Sequence, residues 1–176
     1  MVASPPRLIL ITGNMAAGKS TIAQAIAEQL EKSVHLRGDI FRRMIVQGRA
    51  ALDTTLAEEA ERQLELRYQL AENVARGYLA AGFWVVYQDI FLGKGLTDAI
   101  TRLQDLSPLV IVLCPDAHTV AQREASRVKS GYQDRADIEI FDRILREQTP
   151  RVGYWLDTTE LSVEETVKRV LAYIRG

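Results

Sequence analysis

The chain has 176 residues, 47% of them hydrophobic, with a formal net charge of −1 at pH 7 and one cysteine, Cys114. That length suits a single domain, residues 1–176, with a sizeable core. No apolar run reaches membrane-spanning length and no basic tract marks a nucleic-acid or lipid surface as partner. A lone cysteine excludes an intramolecular disulfide and a cysteine metal cluster, and it fits a reduced, cytoplasmic setting.

Met1 to Arg7 holds two prolines and no charged stretch leading into a long apolar one, so it reads as a short leader rather than a signal peptide. The apolar run Leu8-Ile9-Leu10-Ile11 predicts a strand near 7–12. Directly after it, Gly13-Asn14-Met15-Ala16-Ala17-Gly18-Lys19-Ser20 is a complete G-x-x-x-x-G-K-S phosphate-binding loop. Glycine is needed at both ends because backbone amides wrap closely around phosphate oxygens. Lys19 then reaches the β/γ-phosphates and the Ser20 hydroxyl holds Mg²⁺, with Thr21 closing the nucleotide-binding stretch. Ile22, Ala25, Ile26 and Leu30 give the following helix its apolar stripe.

Ser33-Val34-His35-Leu36 predicts a short second strand near 33–37. Asp39, just past it, opens a helix, where a carboxylate can accept the proton of an incoming hydroxyl during phosphoryl transfer or simply cap the helix. Arg42 and Arg43 lie three and four residues on and can project to the side of Asp39, with Arg42 the favoured of the two for an acceptor; otherwise they are solvated. Gly48 to Thr55 reads as a loop, and Leu56 to Ala81 as one long amphipathic helix stopped at Gly82.

A third strand near 83–88 ends in Gln88-Asp89. An acid there can hold Mg²⁺ through water, or serve as an ordinary turn residue. The fourth strand, near 108–114, leads through Cys114-Pro115-Asp116 into a helix carrying Arg123 and Arg127. With Arg135 beyond them, these cations suit a lid, about 128–137, that closes over ATP and supplies charge to the transferring phosphoryl group. Glu124 offers Arg123 and Arg127 a surface ion pair instead. Thr158 and Thr159 follow a fifth strand near 153–157, where a loop either touches adenine or only turns. Ser162 and Glu165 form a capping box for the last helix. His35 and His118 have no partner at metal-ligand spacing, and Trp84 and Trp155 read as core. Strands alternating with helical patterns predict an α/β fold with a parallel sheet covered on both faces.

Taken together, the loop, Asp39, Asp89 and the paired arginines resemble the small P-loop kinases of the shikimate, gluconate and nucleoside-monophosphate kinase type. Within these the chain is most similar to the chloramphenicol phosphotransferase group, through the stretch Ala80 to Gly93 and the ending Leu156-Asp157-Thr158-Thr159. The resemblance implies a three-layer P-loop kinase fold with a five-stranded parallel sheet, ATP with Mg²⁺, and transfer of the γ-phosphate to a hydroxyl of a small molecule. It places the base on Asp39 and leaves one departure, Gln88 where the group has the first acid of an Asp-Asp pair. Gln88, Arg42 and Asp39 are the expected acceptor contacts, and residues about 40–80, the acceptor region, match least. The acceptor stays open between an antibiotic or related natural product and a sugar-like metabolite or nucleotide sugar. A switch that hydrolyses ATP without any acceptor is the reading from a different class. Monomer and homodimer are equally open.

Overall fold

The computed structural model describes residues 8–50, 57–126 and 135–176. Strands β1 (Leu8–Gly13), β2 (Ser33–Arg37), β3 (Trp84–Gln88), β4 (Leu109–Leu113) and β5 (Tyr154–Leu156) form one sheet in the order β2-β3-β1-β4-β5, every pairing parallel. The helices between them are α1 (Lys19–Glu28), α2 (Asp39–Arg43), α3 (Ala57–Ala80), α4 (Lys94–Arg102), α5 (Ala117–Ala125) and α6 (Arg135–Arg143), and α7 (Val163–Arg175) follows β5. Each expected strand is present within a residue or two of its expected limits, and the expected long helix is α3.

Side chains alternate between the faces of a strand, so each strand feeds two cores. Leu8, Leu10, Val85, Tyr87, Val110 and Val112 point to one face and pack with residues of α3 and α4. Ile9, Ile11, Val86, Ile111 and Leu113 point to the other and pack with α1 and α7. This two-sided burial explains why the central strands read as unbroken apolar runs. A smaller cluster of Val120 and Ile138 draws Met15 and Ala16 of the phosphate loop against α5 and α6.

Local chemistry sets the ends of the elements. Gly82, at φ +83°, takes the left-handed conformation that stops α3; its amide donates to Leu79 O at 2.9 Å and the Phe83 amide to Tyr78 O at 3.0 Å. The capping box of α7 is formed as expected, the Glu165 amide donating to Ser162 Oγ at 3.2 Å and the Ser162 amide to Glu165 Oε2 at 2.9 Å. Trp84 and Trp155 are half-buried at the margins of the two cores. Among the described residues no helix is long and apolar enough to cross a membrane.

Candidate active site

The carboxyl ends of parallel strands gather ligand-binding loops, and β1, at the centre of the sheet, leads straight into Gly13–Ser20. A side chain at Gly13 would run into the Leu113 carbonyl of β4, and φ there is +146°. Ala16 and Gly18 also have positive φ, 60° and 92°, so the loop is wound against ordinary preference. Lys19 folds back over this turn and donates from Nζ to Gly13 O at 3.0 Å and Asn14 O at 2.6 Å. A phosphate group would compete for that ammonium with two carbonyls already in reach.

A cavity of about 450 Å³ opens above the loop. Lys19, Ser20 and Thr21 line one side, and Asp39, Gln88 and Asp89 line the side toward β2 and β3. The Asp39 carboxylate meets Arg43 Nη2 at 2.5 Å and Arg37 Nε at 3.7 Å. Asp89 is buried: Oδ2 accepts from Arg67 Nε at 3.0 Å, while Oδ1 accepts from Arg67 Nη2 and, at 2.7 Å, from the Ile90 amide. Burial pushes the Asp89 carboxyl above the usual range, and the Arg67 guanidinium, the Ile90 amide and Lys19 pull it back. Gly38 makes room for this carboxylate, because a Cβ at position 38 would overlap Asp89.

A second cavity, of about 200 Å³, lies toward β5 and α7, with Thr158, Leu161 and Val163 in its wall. Gly18, Thr21 and Arg123 line both cavities. Arg123 spans them, donating from Nη1 to Ala17 O at 3.4 Å and from Nη2 to Thr158 O at 3.1 Å. The phosphate loop thus has a polar, charged compartment on its β2 side and a partly apolar one on its β5 side.

Most expected site residues converge here: Met15, Ala16, Gly18, Lys19, Ser20, Thr21, Asp39, Gln88, Asp89 and Arg123 all border the larger cavity. Two depart from the expectation. Arg42 turns away, its Nη2 donating to Ala50 O at 3.0 Å, so that Arg43 rather than Arg42 borders the cavity. Thr159 is engaged in the turn itself, its Oγ1 2.6 Å from Asp157 Oδ1 and 2.8 Å from the Asp116 amide, which leaves Thr158 facing the smaller cavity. Arg127, most of the lid stretch and part of the Gly48 to Thr55 loop lie outside the described residues, as does the side chain of Arg135. Arg37 and Arg67 were not anticipated. Arg67 carried no clear signal, because it stands among charged residues on α3 and Leu64, three residues before it, is exposed.

Among the described residues no three His, Cys, Asp or Glu side chains are grouped to hold a metal ion. The donor set nevertheless fits a magnesium ion that arrives on a nucleotide. Mg²⁺ keeps several waters and needs few protein oxygens, and the Ser20 hydroxyl and the Asp89 carboxylate border one cavity.

Solved structures share this architecture. A kinase-like protein from Chloroflexus aurantiacus is 23% identical, with 98% of each chain covered and a TM-score of 0.70. The tunicamycin resistance protein of Deinococcus radiodurans is 20% identical, covering 97% of this chain and 95% of its own, at a TM-score of 0.68. The Mycobacterium tuberculosis APS kinase CysC, solved with AMPPNP and APS, is 19% identical, covering 98% of this chain and 100% of its own, at a TM-score of 0.67. At these identities the likeness is one of fold, the P-loop kinase fold. No curated protein sequence matches the chain. With the AAA domain model matching residues 8–150, the chain belongs to the AAA domain family.

Proposed function

We propose that this protein is an ATP-dependent kinase that moves the γ-phosphate of ATP to a hydroxyl of a small molecule. The observation that carries this reading is that a phosphate loop with Lys19 and Ser20 and a carboxylate, Asp39, border one cavity of about 450 Å³. A nucleotide whose base enters the smaller cavity beside Thr158 would lay its phosphates along Gly13–Thr21 and point the last one toward Asp39. Lys19 and Arg123 neutralise the phosphate oxygens, which is most of what phosphoryl transfer asks of a protein. Asp39 takes the proton from the acceptor hydroxyl as its oxygen bonds to phosphorus, and the bridging oxygen leaves with the bonding pair on ADP. Mg²⁺, held by Ser20 directly and, once Arg67 gives up part of its hold on the carboxylate, by Asp89 through water, would offset charge on the β/γ-phosphates. Arg127 and Arg135 belong to the same reading, as charges that close over the nucleotide.

An antibiotic or a related natural product is one acceptor class for such a site, in keeping with the resemblance to the chloramphenicol phosphotransferase group. A sugar-like metabolite is the other. Coupled ADP release across a library of hydroxyl compounds tests the reading. The expected result is turnover that rises with the right acceptor and falls about a hundredfold or more in Asp39→Asn, the scale of a lost general base. Turnover indifferent to every hydroxyl compound would instead describe a nucleotide-driven switch, and full acceptor-dependent activity in Asp39→Asn would remove Asp39 from the role of base.

A further inference from the structure

Asp89 borders the larger cavity with little of its carboxylate to spare. An ionised carboxylate offers about four acceptor positions. Three are filled, by Arg67 Nε on Oδ2 and by Arg67 Nη2 and the Ile90 amide on Oδ1. Gly38 packs against the same group where a side chain would otherwise stand. The Asp89 side chain is 1% exposed and that of Arg67 15%. A divalent ion brought to this carboxylate would stand beside a guanidinium in a setting nearly closed to water, where like charges repel far more strongly than in solution. The empty protein thus already has a cation where the metal is needed. Arg67 has a way out. Its neighbours on α3 are fixed by bonds of their own: Gln63 Nε2 donates to Gly48 O at 2.7 Å, Gln63 Oε1 accepts from the Ala50 amide at 2.9 Å, and the Tyr68 hydroxyl donates to Ile90 O at 3.3 Å. These bonds hold the helix without the Arg67–Asp89 pair, so the guanidinium can leave by rotation of its own side chain. It borders the cavity together with Lys19 and Ser20, and the anion it would meet there is the nucleotide's phosphate chain.

We propose that Arg67 is a displaceable plug on Asp89. In the empty protein it holds the carboxylate that serves the metal, and when a magnesium nucleotide binds it passes to a phosphate oxygen and leaves Asp89 to the metal's water. This rests on the kinase reading above and extends it to how the metal site is opened. The exchange leaves no charge buried alone: the carboxylate trades one cation for another, and the guanidinium fork trades a carboxylate for a phosphate, an anion it matches equally well. Neither half of the ligand suffices. A metal ion alone would leave Arg67 without an anion, and a metal-free nucleotide that drew Arg67 away would leave Asp89 without a cation. Arg67 thereby makes the site answer to the metal–nucleotide complex rather than to its parts.

Two measurements on the full chain test this, and neither depends on turnover. In the first, Mn²⁺ alone is titrated by calorimetry into the nucleotide-free protein. It is expected to bind about tenfold or more tightly to Arg67→Met than to the unaltered chain, the scale of one displaced charge-assisted bond, because the buried Asp89 carboxylate then lacks a cation. The gain should vanish in Arg67→Met with Asp89→Leu. Arg67→Lys keeps a cation but not the fork; it should show a smaller gain, and it carries the test if the methionine variant does not fold. Equal metal binding by the unaltered chain and the Arg67 variants overturns the proposal, as does a gain that survives the loss of Asp89. In the second, a crystal structure with AMPPNP and Mg²⁺ is expected to show the Arg67 guanidinium off Asp89 and within hydrogen-bonding distance of a phosphate oxygen. Nucleotide bound with the Arg67–Asp89 pair intact, or with Arg67 turned elsewhere, overturns the exchange and leaves the kinase reading standing. A metal gain in the Arg67 variants, in a protein that binds no AMPPNP, upholds the plug on Asp89 and overturns the kinase reading instead.

Discussion

Arg67 and Asp89 are the residues in which stability and chemistry meet most closely. Their pair is almost closed to water, so removing one member strands a charge that the fold cannot solvate. Arg67→Ala is expected to lower the unfolding free energy by about 3–5 kcal/mol, read from urea denaturation. Removing both charges, as Arg67→Met with Asp89→Leu, should restore most of that loss without restoring turnover. A cost in Arg67→Ala no larger than the ~1 kcal/mol of an exposed pair would mean that Asp89 finds another partner. The motif residues Lys19, Ser20, Asp39 and Asp89 were legible in the sequence because each stands at a fixed distance from a strand end. Arg67 was not, since it lies 22 residues before its partner and a lone arginine on a charged helix looks solvated until the sheet is built beneath it. The directions of Arg42 and Arg43 were hidden for a related reason. Helical spacing brings both near Asp39, and only the position of Ala50 decides which one turns away.

Elements were easier to read than side-chain directions because their causes are local. The central strands carry apolar runs, Leu8 to Ile11 in β1, Trp84 to Tyr87 in β3 and all of β4, α3 stops at a glycine in the left-handed conformation, and α7 begins with Ser162 and Glu165 at capping-box spacing. β2 is short and only partly buried, yet it forms because β3 offers it a full parallel ladder from Ser33 to Arg37. The capping box yields a pH prediction. The Ser162 amide and hydroxyl hold the Glu165 carboxyl below its usual value of 4.5, so the folded state favours the ionised form. Its contribution is therefore complete above pH 4.5 and is lost as pH falls through the lowered folded value. The Tm difference between the protein and Glu165→Gln should be present at neutral pH and shrink as the solution is acidified below 4.5. A difference that persists unchanged at lower pH would assign it to the box's neutral hydrogen bonds rather than to the carboxylate's charge.

At the scale of the molecule, the strand order places the phosphate loop between two compartments, and Arg123 joins them. A nucleotide filling both would link the β1–α1 segment, α5 and the turn before α7, three segments far apart in the chain. Ligand that binds only the folded state adds stability by mass action, about 2.7 kcal/mol at a hundredfold excess over Kd. AMPPNP with Mg²⁺ is thus expected to raise Tm in a concentration-dependent way, and Lys19→Ala should abolish the shift. Inorganic triphosphate should give a smaller shift than AMPPNP, because it leaves the compartment beside Thr158 empty. Equal shifts would show that the base contributes nothing to binding.

The contact between Gly38 and Asp89 also bears on how this site can change over evolutionary time. The two positions belong to different βα turns, yet there is no volume for a side chain at 38 while a carboxylate stands at 89. A lineage that alters one must alter the other in step, or pass through an intermediate in which the acid has been pushed off its seat. Sequences that share this turn and keep the acid should therefore keep the glycine, and those that lose the acid should be the ones in which position 38 drifts. In this way the record of substitution at a residue with no functional group reports on the chemistry of the one beside it.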